Sequence, residues 1–107
     1  MSKYIFIESR DPFESRDCKF VEGTAADLRR QGNEVTVFLI QNGVLAVRKG
    51  IGCLNGLREA DVTILADEFS LSERGISLSD LVTGVRPAPI ELLVDALAEP
   101  DTKALWH

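Results

Sequence analysis

Three short apolar runs, KYIFIE at Lys3 to Glu8, EVTVFLI at Glu34 to Ile40 and DVTILA at Asp61 to Ala66, alternate with stretches of helical spacing. This alternation restricts the fold more than any other feature of the chain. Each run is rich in β-branched or aromatic side chains, the residues that suit a pleated, packed surface. The second is almost continuously apolar after its first residue, as expected of a central strand covered on both faces. Between the first two runs, Phe20, Val21, Ala25 and Leu28 recur near the helical period within Asp17 to Gln31. Asp17 is the expected N-cap and Gly32-Asn33 the stop. After the second run, Gln41-Asn42-Gly43 reads as a loop and Val44 to Val47 as a helical turn. A helix over Cys53 to Glu59 follows the bends that Gly50 and Gly52 permit.

Beyond the third run the polar stretch DEFSLSERGI, Asp67 to Ile76, carries the S-x-x-E spacing of a capping box in Ser70 and Glu73. Leu81 to Thr83 reads as a short fourth strand. Pro87 and Pro89 announce a helix to about Ala98, with Ile90, Leu93, Val94 and Leu97 on one face that is expected to be core. Glu99-Pro100-Asp101 stops it, and Lys103 to Trp106 reads as an edge strand. Strands separated by helices and short loops call for an α/β chain, with helices on both faces of a mainly parallel sheet. The expectation is a three-layer α/β/α sandwich with about five strands, residues 1–107 forming one domain.

Function classes narrow by charge and by missing motifs. Twelve Lys and Arg against 17 Asp and Glu give a net charge of −5, which opposes the neutralisation of phosphates that nucleic-acid binding requires. The N-terminal apolar run is too short for a signal-peptide core or a membrane span, so the expected location is cytoplasmic. Two cysteines and one histidine do not make a zinc or iron–sulfur set, and GxGxxG, P-loop and GxSxG patterns are missing. Neither a metal nor a cofactor is called for. His107 reads as a frayed end residue.

The remaining chemistry lies in thiols and carboxylates at the expected carboxyl ends of the strands, where ligands gather in open α/β sheets. Cys53, at an expected helix N-terminus beside Arg48 and Lys49, is the first candidate nucleophile because the helix dipole favours a thiolate. Cys18 is the second, by the same reasoning at the first helix. Asp11, Glu14 and Asp17 in one loop and Asp67, Glu68 and Glu73 in another form a possible acidic ligand or cation site.

The stretch ILADEFSLSERGI, Ile64 to Ile76, resembles the corresponding segment of the DsrE/DsrF/DsrH superfamily, the small sulfur-relay proteins that include TusB, TusC and TusD. YIFIESRDPFES resembles that family's first strand and loop, GNEVTVFLIQNGV its second strand and Asn-Gly turn, and KALWH the tail of the DsrH/TusB branch. The resemblance covers most of the chain and implies a cytoplasmic homo- or hetero-oligomer with other DsrE-like subunits, serving a sulfur donor or acceptor protein. In the family's carriers a cysteine after the third strand takes up sulfur as a persulfide; here no thiol stands between Asp67 and Arg74. The resemblance therefore implies an accessory or partner subunit. Candidate binding residues are Asp11, Asp67 and Glu68 in the acidic loops, with Asn42 and Arg74 in the two turns that carry the resemblance. Two alternatives stand beside it: a small-molecule- or cation-binding regulatory domain, and a persulfide carrier that uses Cys53.

Overall fold

The computed structural model describes residues 2–14 and 18–107; the expected cap Asp17 and the Cys18 side chain lie outside what is described. Five strands, β1 (Lys3–Glu8), β2 (Glu34–Leu39), β3 (Thr63–Asp67), β4 (Val85–Ala88) and β5 (Thr102–Trp106), pair in parallel in the order β4-β3-β2-β1-β5. Between them run α1 (Cys18–Arg30), a 3-10 segment (Gln41–Val47), α2 (Asn55–Glu59), α3 (Glu68–Glu73), a 3-10 turn (Leu78–Asp80) and α4 (Ile90–Ala98). The expected α/β sandwich around a parallel sheet is the fold observed.

The strand order decides which helix lies on which face. From β1 to β4 every step moves in one direction across the sheet, so right-handed crossovers put α1, α2 and α3 on one side. The β4-to-β5 step reverses direction and puts α4 alone on the other. The core follows this division. Phe6, Val37, Leu39 and Ile64 pack with Val21, Leu57 and Leu71 of α1 to α3, while Ile5, Ile7, Phe38 and Ile40 pack with Leu93 and the half-buried Ala96 of α4.

Four details differ from the sequence expectations. The fourth strand lies at Val85–Ala88, and Leu81 makes only an isolated antiparallel bridge to Arg48. Pro87 is admitted because β4 is an edge strand, where a missing N–H breaks no second ladder. The helix over Glu68–Glu73 is capped by Asp67, not by a Ser70 and Glu73 box: D-x-x-S begins three residues earlier and starts the helix directly on the end of β3. Phe20 is 66% exposed, leaving Val21, Ala25 and Ala26 as the buried groups of α1 among the described residues.

The fourth departure is α4, where only Leu93 is buried and Ile90, Leu92, Val94 and Leu97 are 44–59% exposed. A nine-residue helix is about 13 Å long, while five strands span about 19 Å centre to centre. One such helix cannot cover that face. Trp106, 67% exposed, pairs in register with Ile7 and so shares the face on which α4 lies.

Candidate functional site

Beyond the carboxyl ends of β1 and β2, on the α1–α2 side, the chain leaves a cleft of about 780 Å³. Its floor is apolar, built from Val37 and Leu39 of β2, Val21 of α1 and Leu54 and Leu57 at α2. Polar groups enter at three points: Glu8 from the end of β1, Glu22 from α1, and Cys53 from the loop that Gly50 and Gly52 bend with φ of +85° and +78°. Arg10, Phe13, Glu14 and Lys19 stand exposed at its mouth.

Each polar group has a distinct environment. Glu8 is buried, and its carboxylate accepts the Arg10 N–H at 2.9 Å and meets His107 Nδ1 at 2.8 and 3.0 Å. An ionised carboxylate only accepts, so the imidazole proton of this pair belongs on Nδ1. Far from being frayed, His107 is half-buried and also donates its backbone N–H to the Ile7 carbonyl at 2.8 Å. Glu22 is half-buried and accepts a backbone hydrogen bond from Gly56, yet burial dominates and pushes its carboxyl above the usual carboxylate range. The fit is close: a Cβ at Gly56 would collide with the Glu22 carboxylate.

Cys53 is a free thiol, half-buried, and its pKa is pushed up, first by burial and then by the charges of Glu22 and Asp11. This overturns the expectation of a thiolate favoured by a helix dipole. The helix begins at Asn55, two residues later, and is only five residues long. Burial leads, and the nearby carboxylates add to it.

The residues singled out in DEFSLSERGI belong to a separate network. Asp67 Oδ2 accepts the Ser70 N–H at 3.0 Å and the Ser70 hydroxyl at 2.7 Å, and Ser70 Oγ accepts the Gln41 N–H at 2.8 Å. Arg74 donates from Nε and Nη2 to Asn42 Oδ1 at 3.2 and 3.1 Å, and from Nη1 to the Ser70 carbonyl. Three of the candidate binding residues, Asp67, Asn42 and Arg74, are thus joined, and together they fasten α3 to the 3-10 segment. Asp67 and Ser70 are buried, whereas the Arg74–Asn42 bonds lie at the exposed surface. Glu68 is exposed on the first turn of α3, and Asp11 closes a local turn by accepting the Phe13 N–H at 2.9 Å. Among the described residues no three His, Cys, Asp or Glu side chains gather in a way that could hold a metal ion, and no helix is long and apolar enough to cross a membrane.

Glu8 and Glu22 were not singled out from sequence. A carboxylate closing an apolar strand and one four residues after Cys18 were the available signals, but neither spacing says that both face one cleft.

No protein-family model and no curated protein sequence matches the chain. Solved structures do match in fold. The YchN protein of E. coli superposes with a TM-score of 0.82 at 23% identity, over 98% of this chain and 100% of that one. MTH1491 from Methanobacterium thermoautotrophicum, described as a protein of unknown function, gives 0.78 at 22% identity over 100% of both chains. BT1422 from Bacteroides thetaiotaomicron, likewise of unknown function, gives 0.78 at 15% identity over 99% of this chain and 95% of that one. The likeness is one of fold, and it spans nearly the whole chain.

Proposed function

We propose that this chain is a cytoplasmic, DsrE-like accessory subunit associated with sulfur relay, an oligomeric partner and not the persulfide carrier. The observation that carries the reading is the apolar face left by α4. Ile90, Leu92, Val94 and Leu97 lie exposed on one short helix, with Trp106 on the same side of the sheet. Exposed apolar surface of this kind marks interaction sites in soluble proteins. Beside it, β5 is an edge strand exposed on both faces, which offers backbone N–H and C=O groups to a neighbour. The partner subunits are copies of the chain or other DsrE-like subunits. The non-carrier part is supported by the end of β3, where Asp67 and Ser70 bond one another and the helix that follows contains no thiol.

Sedimentation velocity tests the assembly reading. The purified chain is expected to sediment as an oligomer, and Val94→Glu with Trp106→Ala to sediment as a folded monomer. A wild-type chain that stays monomeric at its highest soluble concentration would overturn self-assembly. Mass spectrometry after incubation with a persulfide donor tests the other part, with no stable gain of a sulfur atom expected on either cysteine.

The cleft favours a second reading, a small-molecule-binding regulatory module. Its volume of about 780 Å³ falls within the roughly 300–1,000 Å³ of ligand pockets, and an apolar floor with a few convergent polar groups is their usual make-up.

A further inference from the structure

We propose that the cleft between β1, β2, α1 and α2 takes a small organic cation, a protonated amine carried on an apolar body, with the ammonium held by Glu22. The inference rests on the ligand-binding reading of the cleft and is independent of the assembly reading, whose surface lies on the opposite face of the sheet.

Three observations fix the class of occupant. The floor of Val21, Val37, Leu39, Leu54 and Leu57 offers apolar walls and calls for an apolar body. Of the two inner carboxylates, Glu8 is already occupied, since its oxygens meet His107 Nδ1 and the Arg10 N–H. Glu22 instead accepts from the Gly56 backbone and stands in surroundings that penalise its charge, so an incoming cation would relieve that penalty.

Charge complementarity then decides the sign. Three carboxylates, Glu8, Glu14 and Glu22, line the cleft against two basic side chains, and Glu22 and Asp11 add to burial in acting against ionisation of the Cys53 thiol. The basic side chains of Arg10 and Lys19 line the cleft but are exposed, where solvent screens them. An anion would have to pass them and come to rest beside Glu8 and Glu22. A neutral apolar molecule would fill the floor but leave Glu22 with only the exposed Lys19 as a counter-charge. A cationic amphiphile satisfies both surfaces at once.

The test uses three probes of one shape: phenethylamine, protonated at neutral pH, the neutral 2-phenylethanol and the anionic 3-phenylpropanoate. Each is titrated into the ¹⁵N-labelled chain and followed by amide shifts at Gly52, Cys53, Gly56 and Leu57. Phenethylamine is expected to bind at these positions and to slow alkylation of Cys53 by iodoacetamide, localised by peptide mapping. Glu22→Gln is expected to weaken binding about tenfold, as loss of one partly buried charge partner does. Glu22→Asp, which keeps the charge, is expected to retain part of the affinity, with amide dispersion confirming that both variants fold. Equal or tighter binding of 2-phenylethanol or 3-phenylpropanoate would overturn the choice of a cation while leaving the cleft a binding site. If none of the three perturbs these amides, both the inference and the ligand-binding reading of the cleft fall.

Discussion

Two glycine-to-alanine substitutions in this chain should have opposite effects, and the structure supplies the reason. Gly43 lies buried in the 3-10 segment after β2, where an added Cβ would collide with the carbonyl carbon and oxygen of Glu8 and come within 3.5 Å of Ser9 Cα. All of these are backbone atoms, so no rotamer change can relieve the contact. The same Glu8 carbonyl accepts the Ile40 N–H at 3.0 Å, and Gly43 N–H is itself bonded to the Ile40 carbonyl at 2.9 Å. Parting the segments strains the bond from Ile40 to Glu8. Overpacking costs about 1–3 kcal/mol and the weakened hydrogen bond about 1 more, so Gly43→Ala should destabilise the fold by about 2–4 kcal/mol. Gly23 is exposed within α1, and an added Cβ there meets nothing within 4 Å. Gly23→Ala removes backbone freedom from the unfolded chain and should stabilise by about 0.5–1 kcal/mol. Urea denaturation of both variants, with unchanged m-values, measures the difference. A Gly43→Ala variant within about 1 kcal/mol of the parent chain would refute the close approach of the 3-10 segment to the end of β1.

Three other substitutions or titrations probe the polar groups. Ser70→Ala removes a donor to the Asp67 carboxylate and the acceptor of the Gln41 N–H, and should cost about 2–4 kcal/mol after partial rescue by water. Ser72→Ala, at an exposed position of the same helix, is the control, and equal stability of the two variants would argue against the network. Alkylation of Cys53 should show a midpoint above the roughly 8.5 of a free thiol, since burial and then Glu22 and Asp11 raise it; Glu22→Gln should move the midpoint down. The raised Glu22 carboxyl costs the fold nothing while both states are protonated. The penalty enters as pH climbs through the ordinary carboxylate range of about 4.3 and persists above it. Glu22→Gln should therefore gain stability relative to the parent chain at neutral pH and lose that advantage in acid, as chemical denaturation at the two pH values would reveal.

The sheet was legible in the sequence because three of its strands are central and apolar, and burial on both faces leaves an unambiguous run such as VTVFLI at Val35 to Ile40. The edge was not. Val85–Ala88 contains a proline and alternates poorly, since an edge strand bonded on one side tolerates residues that a central strand excludes. The direction of α4 escaped for a related reason: IELLVDALA is apolar on several sides, so periodicity identifies a helix but cannot choose between Leu93, which is buried, and Val94, which is not. At the candidate site, Cys53 was legible as a residue and misread in its chemistry. Its pKa is raised first by burial and then by Glu22 and Asp11, which are distant in sequence and meet it only through the packing of α1 and the first loop.

The uneven dressing of the sheet has a common origin in the single reversal of strand order. Three successive crossovers in one direction place three helices and the 3-10 segment on one face, and their combined bulk closes the core around a cleft at the carboxyl ends of β1 and β2. The return crossover brings one nine-residue helix to the other face and a fifth strand to the edge beside β1. That strand orders the cleft from behind. His107 follows it directly, and the pairing of β5 with β1 brings Nδ1 to the Glu8 carboxylate at the cleft wall. The same strand leaves Leu105 and Trp106 exposed and its outer edge without a strand partner among the described residues. Contacts of the proposed assembly that covered β5 would therefore act on the strand that His107 directly follows. The amide of His107, held by the Ile7 carbonyl, is the point at which assembly on one face would become measurable at the other.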